Sequence, residues 1–177
     1  MQQRVIKSKR LLLRPFQADD AKEVQRLAGN IKVSATTLNI PYPYDDGLAE
    51  EWISTHIDHW NNRTSISYAI TDRKNFKLLG TMSLVSIYNT EAELGYWVGE
   101  PFWGNGYCTE AAKAIVEFAF TELGIIKISG EHLLSNIASG KVMKNIGMRY
   151  LKRIQKQDRD GILSKLECYE LTKIDFK

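Results

Sequence analysis

Cysteine is scarce in this chain. Its 177 residues hold two, Cys108 and Cys168, far apart and outside any CxxC or Cys/His cluster, which argues against both a disulfide framework and a structural zinc site. No apolar run approaches membrane-spanning length, and the opening "MQQRVIKSKR" is polar and basic, without the apolar segment of a signal peptide. These absences lead to the expectation of a soluble, reduced, cytoplasmic protein with no membrane partner and no bound metal. Blocks of like charge are missing too. The 24 Lys and Arg are interspersed with 21 Asp and Glu for a net charge of +3, a balance that tolerates an anionic ligand but lacks the basic stripe of a dedicated nucleic-acid binder. There is no internal repeat, linker or low-complexity segment. With 44% hydrophobic residues, residues 1–177 are expected to form a single domain around one core.

What the chain does contain is a change of rhythm. "RLLLRPF" (10–16) reads as a short strand ended by Pro15, and "QADDAKEVQRLAG" (17–29) as a helix opened by acids and closed by glycine. "IPYPYDDG" (40–47) is rich in turn residues, and Trp52, Ile53, Ile57 and Trp60 recur at helical spacing over 48–60. The middle turns to strands. "SISYAIT" (65–71), "LLGTMSLVSIY" (78–88) and "EAELGYWVG" (91–99), joined by short turns, predict an antiparallel meander. From Gly104 to Leu123 a stripe of Ala111, Ala112, Ile115, Val116, Ala119 and Leu123 predicts a helix, with Lys113 and Glu117 as an i,i+4 pair and Gly124 as its stop. A strand at 126–133, a helix at 136–147 capped by Asn136, and two strands around "DRDG" (158–161) complete the order. That order predicts a mixed α/β sandwich, since it lacks the strict βαβ alternation of a doubly wound sheet.

"FWGNGYCTEA" (102–111) sets two glycines between a strand and a helix. Such glycines let the backbone approach a ligand closely and leave the first helical N–H groups free, where the helix dipole adds positive potential; a phosphate or pyrophosphate suits that site. A dinucleotide fingerprint fails because Thr109 stands where its third glycine would be, and a P-loop fails for want of a GK[ST] ending. A bare turn remains the alternative reading. One strand later comes "NIASGKVMKNIGM" (136–148), with Asn136, Ser139, Val142 and Gly147 in the spacing N-x-x-S-x-x-V-x-x-x-x-G.

With "SKRLLLRPFQADDA" (8–21) and "AELGYWVGEPFWGNGYCTEA" (92–111), that segment makes nearly the whole chain resemble the GNAT superfamily of acetyl-CoA-dependent N-acetyltransferases, and more narrowly the branch of ribosomal-protein N-terminal acetyltransferases of the RimJ/RimL type. The resemblance implies a three-layer α/β/α sandwich with a mostly antiparallel, V-splayed central sheet, and acetyl-CoA lying in the V between the strand ending at Val98 and the strand starting near Ile126. It implies pantetheine along Tyr96, Trp97 and Val98, pyrophosphate on the backbone of Gly104, Asn105, Gly106, Tyr107, Cys108 and Thr109, and further cofactor contacts from Trp103, Asn136, Ser139 and Val142. The loop departs from the usual Q/R-x-x-G-x-G/A pattern at Trp103 and Cys108. At a helix N-terminus, Cys108 could carry a lowered thiol pKa, or simply be a small residue packed on backbone.

Acetyl transfer to an amine asks for a base, a donor to the carbonyl oxygen and a donor to the leaving sulfur. Strand alternation puts Glu93, Gly95 and Trp97 on one face and Ala92, Leu94, Tyr96 and Val98 on the other, so Glu93 is the candidate base, with His132 as the alternative and a merely salt-bridged glutamate as the plain reading. The superfamily's tyrosine, seven residues past the asparagine, is here Met143. Ser139 is then the candidate acid, unless it only allows close helix packing. The Trp97 or Val98 N–H would meet the oxygen. Tyr42, Tyr44, Trp52 and Trp60 are candidates to form the acceptor cleft, or else Trp52 and Trp60 belong to one helix packed on the sheet. The acceptor implied is a protein N-terminal α-amine; the alternatives are a small amine (aminoglycoside, polyamine or amino acid), a silent acyl-CoA-binding module, and a nucleic-acid binder. The protein would act as a monomer or homodimer.

Overall fold

The computed structural model describes residues 3–176. Its spine is one eight-stranded sheet in the order β1-β2-β3-β4-β5-β6-β8-β7, formed by β1 (Ile6–Lys7), β2 (Leu11–Arg14), β3 (Ile66–Asp72), β4 (Leu78–Tyr88), β5 (Glu91–Val98), β6 (Lys127–Leu133), β7 (Arg149–Gln157) and β8 (Leu163–Thr172). Every neighbouring pair is antiparallel except β5 and β6, which run parallel. The expected meander is therefore β3-β4-β5. β3 is buried along nearly its whole length, as a strand covered on both faces must be. β7, at the edge, is almost wholly exposed and carries Lys152, Arg153 and Lys156, charges that discourage strand addition there.

Helices cover both faces. On one, α5 (Tyr107–Glu122) packs against β1, β2, β4 and β5, and α6 (Ile137–Asn145) against α5 and β6. Here the large apolar residues meet: Leu11, Leu13, Tyr68, Met82, Leu84, Leu94, Ile115, Phe120, Ile128 and Met143 form one buried cluster. On the other face lie α1 (Ala21–Ala28), α2 (Ile31–Ser34), α3 (Leu48–Ser54) and α4 (His56–Asn62). Their cluster is smaller and built from smaller residues, Ala21, Val24, Leu27, Ala28, Ala49, Ala69 and Leu78. The three-layer sandwich expected from the resemblance is thus present.

Two boundaries and one ion pair differ from the sequence reading. The helix expected over 48–60 is broken at Thr55, whose N–H bonds the Trp52 carbonyl in a tight i−3 turn (3.3 Å) and whose hydroxyl claims the same oxygen (2.8 Å), a local bond that competes with the helix ladder. The break sends Trp52 and Ile53 to the small cluster and Trp60 to the large one, and leaves Ile57 63% exposed. α5 begins at Tyr107, so both loop glycines precede it. Lys113 and Glu117 form no ion pair among the described residues.

Stability should follow this division of labour. Ile115 is fully buried, so Ile115→Ala should cost about 2–5 kcal/mol. Ile57→Ala, at the exposed end of the broken stripe, should change stability by less than about 0.5 kcal/mol. Thermal melts of the two variants check this; equal losses would mean that a continuous 48–60 helix packs on the sheet after all.

Candidate functional site

The loop between β5 and α5 is built to leave its amides bare. A 3-10 turn at Glu100–Phe102 ends β5, Trp103 turns its indole N–H onto the Val98 carbonyl (2.6 Å), and the Asn105 side-chain amide donates to the Phe102 and Trp103 carbonyls (both 3.1 Å). Gly104 and Gly106 then take φ of +76° and +74°, the left-handed region that side chains rarely adopt, and nothing lies within 4 Å of the space a Gly104 Cβ would fill. The backbone N–H groups of 104–109 donate to no acceptor among the described residues. Six unsatisfied donors at the positive end of a 16-residue helix fit the diphosphate of a coenzyme A molecule. The reading of Cys108 as an acidified thiol is corrected: burial pushes its pKa up to about 12, leaving a small packed residue.

β5 and β6 pair only from Glu91 to Glu93 opposite Lys127 to Ser129, then part. On its other side β5 stays bonded to β4: Gly99 N donates to Leu79 O (2.9 Å) and Trp97 stands opposite Thr81. Antiparallel alternation therefore turns the Trp97 amide toward β4, and the Tyr96 and Val98 amides toward the open V.

α6 stands over the other arm of the V. Asn136 caps it by accepting from Ser139 N (3.1 Å) and donates to Thr36 O (3.0 Å), so its side chain ties the helix to the loop after α2. Val142 is partly buried against the large cluster. Met143 is buried and faces Gly130 of β6, where an added Cβ would meet its Cε at 3.0 Å. The hydroxyl missing from that position arrives from elsewhere: Tyr96 Oη lies 2.8 Å from Ser139 Oγ and 3.1 Å from Ser139 O. Burial raises the Tyr96 pKa well above the usual phenol value, the nearby Cys108 adding to the effect, so the phenol stays protonated. Sequence reasoning placed Tyr96 on the correct face but passed over its hydroxyl, a polar end to an otherwise apolar row and the one signal available.

On the opposite face, β3, β4 and β5 present small side chains, Ser67, Thr81, Ser83 and Gly95, which with Ser65 just before β3 form the floor of a cavity of about 1070 Å³ walled by Tyr44, Trp52, His56 and Trp97. A second cavity, about 130 Å³, lies in the V between Glu93, Tyr96, Glu131 and Ser139. The two meet at Gly95 and Tyr96, which line both. Glu93 is half-buried at the point where the strands separate. Burial raises its pKa first, the neighbouring Glu131 raises it further, and Lys156, ion-paired to Glu131, partly offsets both. His132, the alternative base, is 6% exposed beneath α6: Nδ1 lies 2.8 Å from the Leu133 carbonyl, Nε2 points at Glu167 (3.6 Å), and an added Cβ at Gly140 would meet it at 2.6 Å. His132 lines the small cavity and its Nε2 makes no hydrogen bond among the described residues, but that nitrogen is buried under Gly140 and faces Glu167, so it is not presented to an incoming amine. Of the four aromatics expected in the acceptor cleft, Tyr44 and Trp52 line the large cavity; Trp60 is buried in the core and Tyr42 is 54% exposed beside a different hollow. His56 was missed. It lies edge-on to Trp52 with both ring nitrogens buried and unpaired, and burial lowers its pKa to about 4.

Among the described residues, no helix is long and apolar enough to cross a membrane. Residues 10–149 match the Acetyltransferase (GNAT) domain family. The uncharacterized N-acetyltransferase YnaD of Bacillus subtilis is 30% identical over 146 residues, 81% of this chain and 82% of that protein. In fold, the chain is similar to the RimL ribosomal L7/L12 α-N-protein acetyltransferase in complex with coenzyme A (TM-score 0.85, 17% identity, 96% and 98% of the two chains). It is also similar to the spermidine N-acetyltransferase of Vibrio cholerae in complex with CoA and spermine (TM-score 0.80, 16% identity, 95% and 98%). A splayed sheet, a bare glycine loop at the start of α5, and a family match running through both make this chain a member of the GNAT family, an acetyl-CoA-dependent N-acetyltransferase.

Proposed function

We propose that the acceptor is the N-terminal α-amine of a protein or peptide, as in the RimJ/RimL branch, with Glu93 as base and Ser139 as acid. The observation that carries this is the position of Glu93, a half-buried carboxylate lining the cavity in the V, two residues along β5 from Gly95, where that cavity meets the large one. That cavity is roomy enough for the first residues of a peptide: its floor is of hydroxyls and glycine, and the charged residues of its lining, Asp45, Glu51, Asp160 and Arg159, leave a modest acidic balance that suits a single ammonium group.

Acetyl-CoA supplies an acetyl group activated as a thioester. The α-amine titrates near pKa ~8, so a large part of it is protonated at neutral pH, and attack requires that a proton be removed. Glu93 takes it, its raised pKa bringing its basicity closer to that of the group it serves. The Val98 N–H, turned into the V, meets the negative charge that builds on the carbonyl oxygen; the Trp97 N–H is committed to β4. Ser139 gives its hydroxyl proton to the departing sulfur, and the Tyr96 phenol bonded to it holds that hydroxyl in place. The C–N bond forms and the C–S bond breaks; Glu93 passes its first proton to solvent and then takes the second proton that the nitrogen must lose to become an amide, and that proton returns through solvent to Ser139.

Thiol release measured with peptides beginning with Ser, Ala or Met should exceed that with spermidine, an aminoglycoside or free amino acids. Turnover of a small amine alone would overturn the proposed acceptor.

Glu93→Gln should lower the transfer rate at neutral pH by ~10² to 10⁴, with partial recovery at alkaline pH, where solvent supplies the free amine. Because the folded-state pKa of Glu93 is raised, its ionisation works against the fold as pH rises through that value. The glutamine variant should therefore melt no lower than the parent at pH 7, which separates lost chemistry from lost structure; an unchanged pH–rate profile would remove Glu93 from the reaction.

Ser139→Ala should reduce kcat while leaving the Kd for acetyl-CoA nearly unchanged, and Tyr96→Phe should do the same to a smaller degree. Stopped-flow single turnovers and calorimetry read the two quantities; a fall in affinity with kcat preserved would make the pair a binding contact only.

A further inference from the structure

Glu110 poses a problem. It sits in the first turn of α5, the helix whose bare amides face an anion, and a carboxylate there repels a phosphate through whatever dielectric separates them. Its partner is a residue from the far end of the sequence. Arg10 donates from Nε to Glu110 Oε2 (2.7 Å) and from its backbone N to Oε1 (2.6 Å), and the Ser8 hydroxyl donates to the same Oε1 (2.7 Å). Burial opposes ionisation of Glu110, but these bonds and the guanidinium charge outweigh it and hold the carboxyl below its usual range.

The same guanidinium reaches the glycine loop. Nη1 donates to the Asn105 carbonyl (3.0 Å), Cζ lies 4.6 Å from the centre of the Tyr107 ring, and Nη2 lies 3.6 Å from where a Gly106 Cβ would be. Peptide planarity converts the first contact into an orientation: with the Asn105 carbonyl drawn to Arg10, the Gly106 N–H on the same peptide plane points the opposite way. Nη2 itself donates to no acceptor among the described residues. The segment that carries Arg10 is anchored in turn, since Arg73 Nη1 donates to Ser8 O (2.8 Å) and Arg73 N to Arg10 O (2.9 Å).

We infer that Arg10 is a positioning residue for the diphosphate of acetyl-CoA: it neutralises Glu110, orients the Asn105–Gly106 peptide, and leaves one guanidinium N–H to spare at the loop. The inference rests on the diphosphate binding at 104–109, so the experiment tests that placement separately.

Calorimetric titration of coenzyme A into the parent protein, Gly106→Val, Arg10→Ala, Arg10→Lys, Glu110→Gln and Arg10→Ala/Glu110→Gln provides the comparison. Arg10→Ala should weaken binding by about tenfold or more, as loss of a charge-assisted contact does. Arg10→Lys should recover only part, keeping the charge without the fork. Glu110→Gln alone should bind at least as tightly as the parent, and adding it to Arg10→Ala should restore the part of the affinity lost to the unpaired carboxylate, leaving the part that came from the contact with the loop. The Arg10→Ala defect should shrink at high salt and persist with 3′-dephospho-coenzyme A. At saturating acetyl-CoA, kcat should be unchanged and KM raised. If Gly106→Val binds normally, the loop placement itself fails. If Gly106→Val weakens binding but Arg10→Ala does not, or if the double variant is as weak as Arg10→Ala, Arg10 has no electrostatic role. A defect that vanishes with 3′-dephospho-coenzyme A would move Arg10 to the 3′-phosphate and overturn the inference.

Discussion

The rest of the structure depends on β5 and β6 parting after three paired residues. Backbone N–H and C=O groups on a strand edge need partners, and the inward edge of β5 beyond Glu93 has none from β6. The vacancy is useful because of what borders it. Glu93 stands at its vertex, α6 brings Ser139 over one arm, and β5 runs on into the loop that starts α5. Had the two strands stayed paired to their ends, neither the cavity in the V nor a Val98 amide turned toward it would exist. The parallel pairing contributes, since it demands a long crossover, and α5 is that crossover.

The sheet divides its labour between faces. Toward α5 and α6 it shows leucine, isoleucine, methionine and aromatic side chains, and this half carries most of the apolar burial. Toward α1–α4 it shows serine, threonine, glycine and alanine, which cannot fill the space and leave the large cavity. Thr81 Oγ1 and both nitrogens of His56 are buried on that side without protein partners. Unsatisfied polar groups lower stability, and their concentration around the cavity is the pattern expected where binding takes precedence over packing.

Much of this was legible in the chain. Apolar alternation located β3, β4 and β5, the alanine-rich stripe located α5, and Asn136 signalled the cap of α6, because each depends on neighbours within a few residues. The paired glycines announced a bare loop for the same reason: a positive φ is a local demand. The three segments with known spacing led to the correct fold and cofactor. The break at Thr55 escaped, since a threonine hydroxyl bonding back to a carbonyl does not disturb hydrophobic periodicity.

Sequence by itself thus determined the elements, the face on which Glu93 and Tyr96 lie, and the loop that would hold an anion. Only the tertiary structure decided which of those residues meet. Tyr96 and Ser139 are 43 positions apart, and Arg10 and Glu110 are 100 apart; no periodicity encodes such pairings, because they arise where the sheet brings distant segments together. Burial, too, is a property of the fold. It turned Cys108 from a candidate acidic thiol into a packed one and enclosed His132 beneath α6, while strand pairing turned the Val98 amide, and not that of Trp97, toward the V. The physical reason is the range of the forces involved: backbone preference and side-chain periodicity act along the chain, whereas desolvation, hydrogen-bond pairing and charge compensation depend on what has folded against each group.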